Sequence, residues 1–156
     1  MSSLTLPLVD LAATEMLGAA IAATLLPGDR VLLSGDLGAG KTTLARAIGT
    51  SLGAVPPLAS PTFVLVSEHA GRLPIWHGDA YRLDPGSDPR LAGFVDERQA
   101  GGVTILEWPE RVLLPPDPRD LQIRLEMRAG DERRAHIDAA DLPRLEQIAN
   151  GFRGGQ

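Results

Sequence analysis

Apolar and polar positions alternate along this chain with two distinct periods, and the switches between them outline an α/β fold. Leu4 to Val9 reads as an opening strand. Asp10 can then cap a helix running to about Leu25, with Leu11, Leu17, Ile21 and Leu25 spaced for one buried face. After the Pro27-Gly28 turn, Arg30-Val31-Leu32-Leu33-Ser34 is a short apolar run of the kind buried inside a sheet. Thr42 to Leu52 returns to helical spacing at Leu44, Ala45, Ile48 and Leu52, and Gly53 supplies a stop. Phe63 to Glu68 and Leu73 to His77 read as a hairpin turning at Ala70-Gly71-Arg72. A short helix is expected near Leu91 to Arg98, and a buried strand at Val103-Thr104-Ile105-Leu106 ending on Glu107. Leu121 to Arg128 alternates strictly, a half-exposed strand that Gly130-Asp131 turns towards Arg133 to Asp138. Leu142 to Ala149 is a last helix.

Strands interleaved with helices predict an α/β fold: one P-loop NTPase-type domain with a mixed, mainly parallel central sheet flanked by helices. The domain is expected over residues 1–150, with 151–156 a disordered tail. The length of 156 residues suits one such core and leaves no room for a second.

The loop between the second strand and its helix carries the chemistry. Gly35-Asp36-Leu37-Gly38-Ala39-Gly40-Lys41-Thr42 matches G-x-x-x-x-G-K-[ST], a pattern expected by chance in well under about one chain per hundred of this length. Lys41 is the only lysine, against 14 arginines. A compact ammonium on a flexible stem reaches between β- and γ-phosphates, where a planar guanidinium does not fit the same cradle. Strand, loop and helix together place successive N–H groups and a helix N-terminus around one anion. The segment Asp36, Leu37, Gly38, Ala39, Gly40, Lys41, Thr42 and Thr43 is therefore the expected nucleotide cradle, with the Thr42 hydroxyl available to Mg²⁺.

Such a site also needs a carboxylate near the metal and a group that orients the attacking water. Two acidic residues stand at predicted strand ends: Asp79 in His77-Gly78-Asp79-Ala80-Tyr81-Arg82, and Glu107 before Trp108-Pro109-Glu110. Ligands gather beyond the carboxyl ends of strands in open α/β sheets, so both are candidates; each is equally readable as a solvated end. Ser60-Pro61-Thr62-Phe63 lies where P-loop proteins place a switch loop, and its alternative reading is a proline turn. The three histidines lack metal-ligand spacing.

Composition narrows the classes further. Apolar content of 44% and charged content of 22% describe an ordinary soluble domain. With no cysteine, disulfides and thiolate metal sites are excluded, which fits a cytoplasmic location. No run approaches the ~18 apolar residues of a membrane span. A net charge of −5 gives no electrostatic reason to bind nucleic acid unaided.

Taken in order, GDLGAGKTT, SPTF, HGDAYR and EWPE resemble the TsaE (YjeE) family, small P-loop ATPases required for threonylcarbamoyladenosine formation on tRNA. The resemblance spans roughly Leu4 to Asp138. It implies an ATP- and Mg²⁺-dependent ATPase that acts with the TsaD–TsaB pair and meets tRNA only through that complex; because P-loop sites can await a partner-supplied group, hydrolysis by the chain alone is expected to be weak. It further implies that Thr42 and Glu107 hold Mg²⁺, that Lys41 and the loop amides hold phosphates, and that Asp79 is the Walker-B-like carboxylate supporting hydrolysis. Thr62 becomes the switch hydroxyl. Thr14, in Ala13-Thr14 through Leu17-Gly18, falls on the family's adenine-side helix, and Arg133 near a further nucleotide contact. Gly78 and Ala80 depart from the family, which often has larger apolar residues there. Two other readings of the residues are a small metabolite kinase, with Arg82, Arg90 and Arg98 as lid, and a non-catalytic nucleotide-sensing adaptor. A GTPase is disfavoured, since the sole asparagine is Asn150 and no Asn-Lys-x-Asp motif exists.

Overall fold

Alternation decides the sheet's two faces. In a computed structural model, which describes residues 1–59 and 65–155, the chain runs β1 (Ser2–Leu8), α1 (Leu11–Ala22), β2 (Arg30–Gly35), α2 (Lys41–Ser51), β3 (Val66–His69), β4 (Ile75–Asp79), β5 (Val103–Glu107), β6 (Leu121–Met127), β7 (Arg133–Ala139) and α3 (Leu142–Gly154). The strands form one sheet in the order β1-β7-β6-β2-β5-β4-β3. Its middle, β6-β2-β5-β4, is parallel, and the flanking pairs β1–β7, β7–β6 and β4–β3 are antiparallel. The mixed sheet expected from the pattern is therefore present, with its parallel section at the centre.

Odd positions of β2, Val31 and Leu33, join Leu121, Ile123, Leu125, Val103 and Ile105 in the main core beneath the helices. Leu32 and Leu106 point the other way, into a smaller cluster with Phe94, Ala80 and Val112. This second cluster is covered by the irregular chain after β4 rather than by a helix. Asp10 caps α1 as expected, its Oδ1 accepting the Ala13 N–H at 2.9 Å. α1 ends at Ala22, short of Leu25, and Leu25 reaches the core from the turn that follows.

Three expectations need correction. The helix expected over Leu91 to Arg98 is absent: Gly93 takes φ 83°, Phe94 anchors the chain in the small cluster, and only a 3₁₀ turn forms, at Glu97–Gly101. Asp96 is extended and caps that turn through the Arg98 N–H. The hairpin strands begin later than expected, at Val66 and Ile75, and Phe63 lies outside the described residues. Finally, the tail is not disordered from residue 151. α3 continues to Gly154 because Phe152 extends its apolar face into the main core at 2% exposure. Phe152→Ala should therefore cost about 3–5 kcal/mol, the range for deleting a buried phenyl group, read as a lower urea midpoint at unchanged slope.

Candidate functional site: the P-loop and the strand ends around it

β2 delivers its C-terminal end into the loop, and β6 crowds it. A Cβ on Gly35, at φ 136°, would lie 2.4 Å from the Leu125 carbonyl oxygen, so only glycine can leave the strand here. Gly40 closes the loop in the left-handed region, φ 103°, as the N-cap of α2. The amides of Lys41, Thr42 and Thr43 then emerge from the first turn of a helix, where they have no partner in the helix itself. Above Gly38 the space is open: an added Cβ there meets nothing within 4 Å. Asp36 and exposed Leu37 form the outer lip, while Ala39 is buried as the loop's root, its N–H donating to the Asp36 carbonyl.

Lys41 folds back over this loop. Its ammonium donates to the Gly35 and Asp36 carbonyls at 2.6 and 2.8 Å and lies 4.2 Å from the Trp108 ring centroid. Burial holds its pKa below the ordinary 10.5, opposed by the carboxylates of Glu107, Glu110, Asp79 and Asp36. One ammonium thus faces four carboxylates. A polyphosphate brought here would add to that negative charge, which calls for a divalent cation alongside it.

The Thr42 hydroxyl donates to Glu107 Oε1 at 2.7 Å. Glu107, 1% exposed, sits at the last position of β5 beside Leu33 of β2 and Asp79 of β4. Asp79 is half-buried; burial raises its pKa above 3.8, with Glu107 adding to the rise and the Tyr81 N–H opposing it. A hydroxyl and a carboxylate are hard oxygen donors that suit Mg²⁺ when phosphates complete its shell. Among the described residues no three or more His, Cys, Asp or Glu side chains gather as a metal cage. The residues present fit a magnesium nucleotide.

The structure thus brings Lys41, Thr42, Glu107 and Asp79 to one end of the sheet. Arg133 begins β7 opposite Leu8 and Met127, with its guanidinium on the Gly130 and Glu132 carbonyls of its own hairpin. Thr14 is buried in α1. Thr62 lies outside the described residues. Two residues matter more than their sequence pattern revealed. Trp108 is non-glycine yet adopts φ 60°, and its ring stands 4.9 Å from that of Tyr81. His77 shares parity with Ile75 and Asp79 on β4, which places it under the helices rather than on the surface. The departure at Gly78 also finds a cause: a Cβ there would lie 2.7 Å from the Phe94 ring, which fills that space instead.

The comparisons with known proteins agree with this geometry. The model of the family "Threonylcarbamoyl adenosine biosynthesis protein TsaE" matches residues 8–135. The chain belongs to the TsaE family. A tRNA threonylcarbamoyladenosine biosynthesis protein TsaE from Nostoc is 38% identical over 131 residues, covering 80% of this chain and 78% of that protein. The TsaE of Streptomyces coelicolor is 39% identical over 118 residues, 74% and 80% of the two chains, and that of Bacillus subtilis 35% over 136, 86% and 84%. The crystal structure of Bacillus subtilis YdiB superposes with a TM-score of 0.72 at 27% identity, over 99% of this chain and 97% of that one.

Proposed function

We propose that this TsaE-family chain is an ATP-binding and ATP-hydrolysing accessory subunit for threonylcarbamoyladenosine formation on tRNA, working with the TsaD–TsaB pair. The observation that carries this reading is the Thr42–Glu107 hydrogen bond beside the Lys41 ammonium, at the mouth of a glycine-rich loop. Lys41 and the amides of residues 38–43 bind and orient the phosphates. Thr42 and Glu107 would hold Mg²⁺, which when bound offsets the charge of phosphates and carboxylates together. Asp79, beside Glu107 at the strand end, orients the attacking water and takes up its proton. Thr62 keeps the switch role that the family resemblance implies, and Thr14 and Arg133 the outer nucleotide contacts.

The net charge of −5 supports an indirect route to tRNA. Among the described residues no helix is long and apolar enough to cross a membrane, which is compatible with work in the cytoplasm. P-loop proteins commonly complete their transition-state contacts with a group from a partner, so turnover by the isolated chain should be slow. Phosphate release from MgATP, followed with the chain alone and then with TsaD, TsaB and tRNA, tests this. Stimulation by about 10-fold or more is expected, a modest share of what trans-acting groups supply in P-loop enzymes. Equal rates with and without the partners would overturn the accessory-ATPase reading.

A further inference from the structure

Glu107 divides its two carboxylate oxygens between different neighbours. Oε1 faces Thr42, and Oε2 lies 2.7 Å from His77 Nε2. Both side chains of the second pair are sealed from solvent, His77 at 0% and Glu107 at 2%. Among the described residues His77 Nδ1 is buried with no hydrogen-bond partner. That asymmetry selects the tautomer: a proton on Nε2 makes the bond to Oε2 and leaves Nδ1 only a lone pair, whereas a proton on Nδ1 would leave a buried donor unpaired, costing about 1–3 kcal/mol. The imidazole is fixed in turn by β4, since His77 stands beside Ile105 in the parallel register with β5.

We propose that His77 is a positioning residue for Glu107. By donating Nε2–H to Oε2 it locks the carboxylate rotamer and leaves Oε1 alone turned towards Thr42. His77 itself would not hold the cation; it would decide which Glu107 oxygen is free for one, as outer partners of metal ligands do elsewhere. The inference rests on the metal role given to Thr42 and Glu107 above.

The test measures Mn²⁺ binding by electron paramagnetic resonance, using the full chain saturated with a non-hydrolysable ATP analogue. Nucleotide affinity in EDTA is measured in parallel. His77→Leu removes the donor, His77→Asn keeps a polar group that reaches only as far as Nδ1, and His77→Gln restores an N–H near the Nε2 position. Leu and Asn should weaken Mn²⁺ binding by about 10–100-fold, the usual effect of removing such a partner. Affinity in EDTA should stay unchanged, and Gln should restore most of the loss. If the Leu variant does not fold, the Asn and Gln pair decides. Wild-type Mn²⁺ affinity in a folded Leu or Asn variant would overturn the proposal. So would a folded Gln variant as weak as Asn, or an equal fall with and without metal. Should the wild-type chain show no nucleotide-dependent Mn²⁺ site at all, the metal reading fails and the role of His77 falls with it.

Discussion

Lys41→Ala is expected to weaken MgATP binding by about 10- to 150-fold, the range set by about 1.5–3 kcal/mol for a hydrogen bond to a charged group. Phosphate release should fall further, because the ammonium would face the oxygens on which charge develops. Calorimetric titration separates the two losses. The fold should survive, and its pH dependence identifies the residue responsible. Burial lowers the Lys41 pKa from 10.5, so between the lowered value and 10.5 the unfolded chain holds a proton that the folded chain has released. Stability contributed by this residue therefore rises with pH across that window. In the alanine variant the rise should vanish, which urea midpoints at pH 8 and above would show. Unaltered MgATP affinity in the variant would remove the phosphate cradle from the mechanism.

Much of this architecture was legible in the chain because local rules and tertiary packing agree there. The P-loop needs Gly35 for the close approach of β6 and Gly40 for a left-handed cap, so its motif is readable wherever it occurs. β5 and β6 follow plain periodicities, and the last apolar residue of β5 announces Glu107 as a strand end. Legibility failed where burial came from distant partners. Gly93 and Phe94 look compatible with a helix until Gly78 is known to leave room for a phenyl ring. Phe152 lies among glycine and polar residues, yet its ring completes the core and carries α3 to Gly154. His77 has no ligand spacing in the sequence, and its Nε2 meets the Glu107 carboxylate. Its parity with Asp79 on one strand was the available signal, and that parity acquires meaning only once β5 is known to lie alongside. The contact of Trp108 with Lys41 depends on a backbone conformation that tryptophan rarely adopts.

Glu107→Gln and Asp79→Asn should separate metal binding from hydrolysis, since the two carboxylates are neighbours with different surroundings. In Glu107→Gln, His77 can donate only to the amide oxygen, which turns the amide N–H₂ towards Thr42 and presents donors where the cation needs an acceptor. Mg²⁺ should then no longer tighten nucleotide binding, while affinity in EDTA persists. Asp79→Asn keeps an oxygen that can accept the Tyr81 N–H, so affinity should hold while turnover falls by about 10²–10⁴-fold, the contribution of a positioned base. Because burial raises the Asp79 pKa above 3.8, the acid limb of wild-type kcat/KM, which reports the free protein, should lie higher than an ordinary carboxylate would place it. The same shift has an energetic counterpart. Between 3.8 and the raised value the folded chain holds a proton that the unfolded chain has lost, so stability from this residue falls as pH rises through the folded pKa. At neutral pH the ionised Asp79 therefore opposes folding, and Asp79→Asn should melt slightly above the wild-type protein while hydrolysing ATP far more slowly. A variant that lost stability and turnover together would make Asp79 a structural residue; one that lost neither would remove it from the hydrolytic site.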